Sequence, residues 1–397
     1  MPQQRILVAH PSAELYGSDR VLLESVAGFV GSGADVEVLL ATSGPLEQQL
    51  TARGARVRIV PMPVVRKSVL KPRGFVGFVS RSVVGLVSGL ALVRRSRPSA
   101  IYVSTLTIPL WNLIARLSGT PLVVHVHEAE RSASRALRYA LAAPLRLASL
   151  VVFNSIYARD TVQLTSPTAA STSRVIYNGV VGPETVVEAR ASLNRELRLV
   201  YVGRLSARKG PDVLVEAIAR ARHADMVTLV IVGAVFPGYE WFEQQLRTRI
   251  AELGLQSRVR FEGFQPSGYP FLAESDVAVV PSTVDEPFGN TAVEAMLAAR
   301  PAIVSDTSGL REAGAGYSSV VFVEPGDADS LAHAIDRMVD EWQVMRDGAA
   351  ADARAAAARH SIETYQGEIW QAVAQIIPGG EAAPILAAAS PAAGAKG

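Results

Sequence analysis

Short hydrophobic runs alternate with longer stretches of helical periodicity along most of the chain. The first series of runs comprises residues 6–9, 35–40, 56–60, 100–104, 121–126, 150–154 and 175–177. The second series comprises residues 197–202, 226–232, 259–261, 277–280, 302–305 and 320–323. Such alternation is typical of parallel sheets that carry helices on both faces. The pattern therefore predicts two doubly wound, Rossmann-like α/β domains.

The predicted boundary between the domains lies at Asn178-Gly179, a strong turn signal that follows the first series of runs. We expect one domain over residues 1–180 and a second over residues 181–360. Residues 361–377 have apolar positions at helical spacing and predict a final helix that packs back toward the first domain. Residues 378–397 are mainly Ala, Pro and Gly, which predicts a disordered tail.

Charge is distributed unevenly between the predicted domains, although the whole chain holds 39 Lys and Arg against 37 Asp and Glu. Residues 1–180 contain 20 basic and 9 acidic residues, and the remainder contains 19 and 28. An anionic partner therefore suits the first domain. The chain has no cysteine, which excludes disulfides and thiolate metal sites. Its first residues lack the pattern of a signal peptide, so we expect a cytoplasmic protein.

The most basic segment is 64–97, which has eight Lys and Arg, no acidic residue, and clusters of Val, Leu and Phe. A basic apolar segment of this kind binds anionic membrane surfaces, so we expect peripheral contact with the inner face of the cell membrane. Arg81 interrupts the apolar stretch and leaves it too short to cross a bilayer. An ordinary helix that covers the sheet and ends in solvated arginines explains the same pattern.

Several common catalytic motifs are missing from the sequence. No strand is followed by G-x-G-x-x-G, which disfavours a nicotinamide dehydrogenase, and there is no H-E-x-x-H, P-loop or G-x-S-x-G. Asp327-Ala328-Asp329 follows Pro-Gly and precedes an apolar helical stretch, which indicates a helix N-cap. We therefore assign no metal, and we expect no nucleic-acid partner.

The loop after the predicted strand 277–280 has the strongest functional signal. Ligands of open α/β sheets bind at the carboxyl ends of strands, where this loop lies. Pro287 disfavours helical backbone at Glu286, and Gly289 permits close approach of a ligand. The N–H groups of Asn290 and Thr291, at the start of the next helix, then face an anion such as a diphosphate.

Glu286 and Glu294 flank this predicted anion site, and carboxylates accept hydrogen bonds from the paired hydroxyls of sugars. Each glutamate alone is also explained as a helix-surface residue or a partner of the helix dipole. The combination with the Pro-Phe-Gly sequence between them favours a binding site.

Positive charge for such a site follows the strand 197–202. Gly203 begins the loop, Arg204 suits bidentate binding of phosphate, and Lys209 supplies a point charge. In the first domain, His127 follows the strand 121–126 and is placed to bond a substrate hydroxyl, although a structural role is equally compatible with the pattern. His125 is the better candidate for a structural role.

These motifs together resemble the family-4 retaining glycosyltransferases of GT-B architecture, whose carboxylate pair is spaced E-x7-E, as Glu286 and Glu294 are. The Gly17 loop, His127, the 176–180 hinge, the 203–210 loop and the acidic motif occur in family order. The resemblance implies two Rossmann-like domains that face each other across a cleft.

The resemblance also implies roles for individual residues. Arg204 and Lys209 would bind the donor diphosphate, Glu294 the ribose, Glu286 the transferred sugar, and His127 the sugar ring. The remaining residues of the implied donor site are Gly17, Gly203, Phe264, Phe288, Gly289, Asn290 and Thr291. The sequence departs from the family at Ser18 and at Arg300, where many relatives have glycine.

The implied reaction is retaining transfer of a hexosyl or N-acetylhexosaminyl group, without a metal or other cofactor. A UDP-sugar is favoured over GDP-mannose, and the expected acceptor is a lipid-linked or cell-envelope glycan. The departing diphosphate would be stabilised electrostatically by Arg204, Lys209 and a helix N-terminus. Alternatives are a sugar-nucleotide epimerase, a glycan phosphorylase or a non-catalytic protein that binds nucleotide sugars or glycans.

Overall fold

A computed structural model of the protein describes residues 3–15, 17–65, 72–128, 134–166 and 173–379. The chain divides into two compact units, one of Met1–Gly179 with Ile362–Gly397 and one of Val180–Ser361. Of the predicted segments, most of the tail and residues 66–71 of the basic segment lie outside the described residues.

The first unit is built on a seven-stranded parallel sheet with the order β3-β2-β1-β4-β5-β6-β7. Its strands are β1 (Arg5–His10), β2 (Asp35–Leu40), β3 (Arg56–Ile59), β4 (Ala100–Val103), β5 (Leu122–Val126), β6 (Leu150–Phe153) and β7 (Ser173–Val175). The central strands are buried at almost every position because both faces are covered, and they therefore read as continuous Val, Ile and Leu runs.

Helices cover both faces of this sheet. They are α1 (Gly17–Gly31), α2 (Pro45–Ala52), α3 (Pro72–Ser96), α4 (Leu110–Ser118), α5 (Arg135–Ala142), the 3₁₀ helix Ala143–Leu147 and α6 (Ile156–Gln163). One core contains side chains of α1 and α2, and the other contains side chains of α3, α4, the 3₁₀ helix and α6.

The second unit has a six-stranded parallel sheet with the order β10-β9-β8-β11-β12-β13. Its strands are β8 (Leu197–Val202), β9 (Val227–Val232), β10 (Val259–Gly263), β11 (Val277–Val280), β12 (Ala302–Ser305) and β13 (Val320–Val323). Its helices are α7 (Pro211–Arg220), α8 (Glu240–Glu252), α9 (Tyr269–Glu274), α10 (Asn290–Leu297), α11 (Ser308–Gly314), α12 (Ala328–Asp340) and α13 (Trp342–Arg359), with 3₁₀ turns at Ala207–Lys209 and Ala224–Met226. The Asp327 side chain accepts from the N–H groups of Asp329 and Ser330, at 2.8 and 3.1 Å, which confirms the predicted N-cap.

The chain returns to the first unit through a last helix, α14 (Ile362–Ala374). Tyr365, Ile369 and Trp370 of α14 are buried in the same core as α1. Gly28 of α1 permits this packing, since a Cβ there would lie 3.0 Å from the backbone oxygen of Gln366.

The order of the second sheet places a topological switch between β8 and β11. From β8 the chain first builds outward through β9 and β10, and then returns to the other side of β8 with β11, β12 and β13. The loops that leave β8 and β11 therefore diverge at the carboxyl edge of the sheet, where open α/β sheets bind their ligands.

Candidate functional site

The loops after β8 and β11 are held together at this switch point. Gly210 has φ of +67°, and a Cβ there would lie 2.0 Å from the carbonyl oxygen of Pro281. The Thr283 N–H donates to the Arg208 carbonyl at 2.9 Å, and the Thr283 hydroxyl donates to the Ala207 carbonyl at 2.9 Å. A side chain at Gly210 would force these two loops apart.

Lys209 and Glu286, one from each loop, form an ion pair with 2.7 Å between Nζ and Oε1. The Ser282 hydroxyl donates to the same carboxylate oxygen at 2.9 Å. The Lys209 side chain is 37% exposed and that of Glu286 is 15% exposed. The structure thus brings together two residues that the sequence analysis assigned to different parts of a donor.

The backbone of Glu286 is held by residues that the sequence analysis missed. Its N–H donates to the Ser308 hydroxyl at 2.7 Å, and that hydroxyl donates back to the Glu286 carbonyl at 2.9 Å. The N–H of Gly309 donates to the same carbonyl at 3.0 Å, and a Cβ at Gly309 would lie 2.4 Å from the Pro287 oxygen. A signal did exist, because Ser308-Gly309 follows β12, the neighbour of β11.

Gly289 forms the N-cap of α10 with φ of +126°, a backbone conformation that favours glycine. The N–H groups of Asn290 and Thr291 therefore begin the helix, where backbone donors and the helix dipole favour an anion. Glu294 lies about one turn further along α10 and is partly buried. Phe288 is buried and packs edge-on against His360 at 5.6 Å between ring centroids, so its side chain anchors the loop in the core.

Arg204 lies in the loop after β8, with its guanidinium carbon 3.5 Å from the ring centroid of Phe236. This cation–π contact joins the loop after β8 to the loop after β9. The same loops meet at Gly233, where a Cβ would lie 1.8 Å from the carbonyl oxygen of Gly203. Phe264 follows β10 and is 55% exposed. Three of the implied donor residues, Gly203, Arg204 and Phe264, therefore follow the carboxyl ends of β8 and β10.

In the first unit, His127 follows β5 and contacts His125, with 3.9 Å between ring centroids. His125 is fully buried, and its Nδ1 lies 2.5 Å from the Tyr102 hydroxyl, an arrangement that suits a structural role. Burial, together with the nearby His10, lowers the pKa of His127 to about 3. The His127 imidazole is therefore neutral at physiological pH.

A buried hydrogen-bonded group at the end of β1 was also missed by the sequence analysis. His10 lies with Nε2 2.7 Å from an Asp19 carboxylate oxygen and Nδ1 2.5 Å from the Ser104 hydroxyl. All three residues are buried. Asp19 lies in the first turn of α1, two residues after Gly17, so this group fixes the start of the helix that the Gly17 loop enters.

Glu128, next to His127, is bound in place by several donors. Its carboxylate accepts hydrogen bonds from the Thr105 hydroxyl and from the N–H groups of Leu106 and His127. Burial raises the pKa of Glu128. Within the described ranges of the chain, no three His, Asp or Glu residues are grouped so that they could hold a metal ion.

Two family models match consecutive parts of the chain. Residues 16–188 match the glycosyl transferase 4-like domain, and residues 185–357 match the glycosyl transferases group 1 domain.

Curated relatives share about a third of the residues over part of the chain. A D-inositol 3-phosphate glycosyltransferase of Catenulispora acidiphila is 30% identical over 258 residues, which are 58% of this chain and 60% of the relative. An uncharacterised glycosyltransferase of Methanocaldococcus jannaschii is 31% identical over 182 residues, 43% of this chain and 45% of the relative. A lipopolysaccharide core biosynthesis glycosyltransferase of Rhizobium meliloti is 36% identical over 143 residues, 36% of this chain and 39% of the relative. The chain thus spans about half the length of these relatives.

Solved structures resemble the chain over nearly its full length. HepE of Anabaena in complex with UDP-glucose superposes with a TM-score of 0.78 at 22% identity, covering 94% of this chain and 100% of HepE. WaaG, a glycosyltransferase involved in lipopolysaccharide biosynthesis, superposes with a TM-score of 0.67 at 14% identity, covering 94% of this chain and 99% of WaaG. At these identities the likeness concerns the fold.

Proposed function

We infer that this chain, a glycosyltransferase of the GT-B fold with a glycosyl transferase 4-like domain followed by a group 1 domain, moves a sugar from a nucleotide-diphosphate donor to an acceptor hydroxyl. The observation that carries this proposal is the Lys209–Glu286 pair at the switch point of the second sheet, next to the start of α10. It combines a cation and helix amides for phosphate with a carboxylate for sugar hydroxyls.

In the proposed donor complex, Lys209 exchanges its partner. Its ammonium group leaves Glu286 and binds the diphosphate, and the carboxylate then accepts a hydrogen bond from a hydroxyl of the transferred sugar. The ion pair therefore keeps both groups oriented before the donor arrives. Glu294, about one turn into α10, holds the ribose hydroxyls, and Arg204 binds the diphosphate from the loop after β8.

The proposed reaction breaks the bond between the anomeric carbon and the diphosphate oxygen and forms a bond from that carbon to the acceptor oxygen. The acceptor proton passes to the departing diphosphate on the same face of the sugar, which retains the anomeric configuration. Arg204, Lys209 and the amides of Asn290 and Thr291 stabilise the charge that develops on the leaving group. No metal is required in this scheme. In the first unit, the neutral imidazole of His127 is proposed to bond a substrate hydroxyl.

We propose a UDP-sugar as the donor, in preference to GDP-mannose, and a hexose or N-acetylhexosamine as the transferred group. HepE, which shares the fold, has been solved with UDP-glucose. A lipid-linked or cell-envelope glycan is the proposed acceptor, and the basic first unit supports an anionic acceptor. The proposed location is the cytoplasm, at the inner face of the cell membrane.

The test combines donor binding with turnover. Thermal stabilisation by UDP-glucose, UDP-galactose, UDP-N-acetylglucosamine and GDP-mannose is measured first. Release of the nucleotide is then followed with a polyprenyl-diphosphate-linked glycan, in the presence and absence of EDTA. We expect stabilisation by UDP-sugars, and nucleotide release that depends on the acceptor and is insensitive to EDTA.

Glu294→Ala is the test variant, and Glu274→Ala, an exposed glutamate at the end of α9, is the matched control. We expect only the former to lose donor binding. Unchanged donor binding by Glu294→Ala would refute the assignment to the ribose. Donor binding without turnover would instead indicate a non-catalytic protein, and conversion of the donor to its epimer without an acceptor would indicate an epimerase.

A further inference from the structure

The outer face of helix α3 in the first unit is apolar. Val79, Val83, Val84 and Val87 are 44%, 59%, 57% and 67% exposed. Their spacing of four, one and three residues places them on a single stripe of the helix. Exposed valines are unremarkable singly, but four on one stripe form a surface that water solvates poorly.

The opposite side of α3 is packed against α4 and cannot exchange places with the valines. A Cβ at Gly85 would lie 2.9 Å from Leu110 Cδ2, and one at Gly89 would lie 2.5 Å from Ile114 Cδ1. Val93 is buried in the same core. The two glycines thus bring the helices into close contact, and this contact fixes the valine stripe toward solvent.

The helices next to α3 also have exposed apolar side chains. Leu113 and Leu117 of α4 are 39% and 58% exposed, and Tyr139 of α5 and Leu147 of the 3₁₀ helix are 49% and 36% exposed. Helix α4 contacts both α3 and the 3₁₀ helix, which in turn contacts α5. We call the outer surface of α3, α4, α5 and the 3₁₀ helix the apolar-basic face.

Arginines are the only charged side chains that these four elements contribute to the face. There is no Asp or Glu between Glu47 and Glu128 in the sequence, nor between residues 131 and 159. The exposed arginines are Arg81, Arg94, Arg95, Arg116, Arg135 and Arg146. Among the described residues, none of these six forms an ion pair with a carboxylate. Within the part of the chain that the structure describes, no carboxylate therefore pairs with these arginines, although Arg95 lines a groove that Glu37 and Glu47 also line.

We propose that the apolar-basic face binds the surface of an anionic lipid bilayer, with the valine stripe in the headgroup boundary and the arginines on lipid phosphates. Apolar side chains next to exposed arginines are the combination that interfacial helices use. A second copy of this chain suits the face less well, because two acid-free arginine surfaces repel each other. The proposal deepens the proposed function, since it would bring a lipid-linked acceptor to the first unit.

The helix lies along the membrane rather than across it. Contrary to the prediction that Arg81 leaves this stretch too short, Gly77–Ser96 is, within the described residues, long and apolar enough to span a bilayer. Its 18-residue apolar window has a mean hydropathy of 1.4, and 17% of that window is buried. However, Gly85, Gly89 and Val93 hold its inner side in the fold, and Arg94 and Arg95 end it. An orientation of α3 along the membrane surface buries its apolar outer side and keeps its inner side packed in the fold.

Flotation of the full chain with vesicles tests the proposal. Vesicles of phosphatidylcholine alone are compared with vesicles that contain phosphatidylglycerol, at low and high salt. We expect binding to the anionic vesicles only, weakened by salt. Val83→Ser combined with Val87→Ser should reduce partitioning roughly tenfold, and Arg94→Gln combined with Arg95→Gln should reduce it about fivefold per charge.

Two exposed residues of the second unit provide matched controls. Val344 and Arg354 lie on α13. We expect the Val344→Ser and Arg354→Gln variants to bind vesicles as strongly as the parent. Absence of parent binding to anionic vesicles at low salt would overturn the proposal, as would equal losses in the controls. A parent dimer that the valine substitutions dissociate would show that a second copy covers the face.

Donor-induced thermal stabilisation is measured on the same variants. This measurement separates the membrane proposal from the proposed function. Loss of vesicle binding with intact donor binding concerns only the membrane proposal, and loss of donor binding with intact vesicle binding concerns only the proposed function. Preserved stabilisation also shows that the second unit of each variant is folded, and circular dichroism checks the helices of the first unit.

Discussion

Lys209 and Glu286 bind each other across the switch point of the second sheet, with 2.7 Å between ammonium nitrogen and carboxylate oxygen. The lysine comes from the 3₁₀ turn after β8 and the glutamate from the loop after β11. The pair therefore couples the proposed diphosphate site to the proposed sugar site. Substitution of Lys209 and substitution of Glu286 should consequently have different effects on the binding of UDP and of a UDP-sugar.

Lys209→Gln should weaken binding of both UDP and a UDP-sugar, and should lower kcat by about 100-fold to 1,000-fold, since it removes a charge that stabilises the leaving group. Glu286→Gln should bind UDP at least as tightly as the parent, because Lys209 is released, but should bind the UDP-sugar more weakly. Isothermal titration with UDP and with a UDP-sugar measures the difference. Equal loss of both ligands in Glu286→Gln would contradict the assignment of Glu286 to the sugar.

Ser308→Ala should lower both stability and sugar-nucleotide affinity, because it removes the hydroxyl that bonds the N–H and the carbonyl of Glu286. The expected loss of unfolding free energy is about 1–3 kcal/mol, the usual effect of leaving partly buried polar groups without partners. Urea unfolding and titration with a UDP-sugar provide the two measurements.

Gly309→Ala should be more damaging than Ser308→Ala, since its Cβ would lie 2.4 Å from the Pro287 oxygen and displace the acidic loop. Gly182→Ala is the control, because a Cβ there has no neighbour within 4 Å. Thermal unfolding of the three variants ranks them. A Gly309→Ala protein as stable as the control would show that the loop adapts without cost.

Arg300→Met should destabilise the second unit by roughly 3 kcal/mol or more, because it leaves several buried carbonyls without a donor. The Arg300 side chain is buried and donates to the carbonyls of Leu272 and Ala273 in α9, of Ala298 and Ala299 after α10, and of Val187. Arg300→Lys should rescue little, because an ammonium group cannot reach the ends of two helices. Denaturant unfolding distinguishes these outcomes.

Acid should destabilise the first unit through His125 and His127. Burial lowers the pKa of His127 to about 3 and that of His125 well below its usual range, whereas both titrate near pH 6.5 in the unfolded chain. Between these values the unfolded chain binds more protons, so stability falls as pH drops from about 6.5 toward 3.

His127→Gln should reduce by about one the number of protons that the chain takes up when it unfolds near pH 5. Urea unfolding from pH 7.5 to pH 5 measures this as a shallower dependence of stability on pH. His333→Gln, on the exposed side of α12, is the matched control. Parallel curves for the parent and His127→Gln would show that His127 is protonated in the folded protein.

Much of the fold was predictable because each buried parallel strand corresponds to a short apolar run of adjacent residues. The run predicted at 35–40 is β2, Asp35–Leu40, and the one predicted at 197–202 is β8, Leu197–Val202. The N-cap at Asp327 was also predictable, since it depends on a few adjacent residues. The run predicted at 175–177 shares only Val175 with β7, Ser173–Val175, because short edge strands have weak hydrophobic patterns.

By itself the sequence determined which segments are strands, and it placed Glu286, Lys209 and His127 at strand ends, because hydrophobic periodicity and Gly or Pro act over a few residues. Only the tertiary structure decided that Lys209 bonds Glu286, that Ser308 supports it, that His10 pairs with Asp19, and which side of α3 faces water. Those contacts depend on strand order and helix packing between distant segments, and no local pattern encodes either.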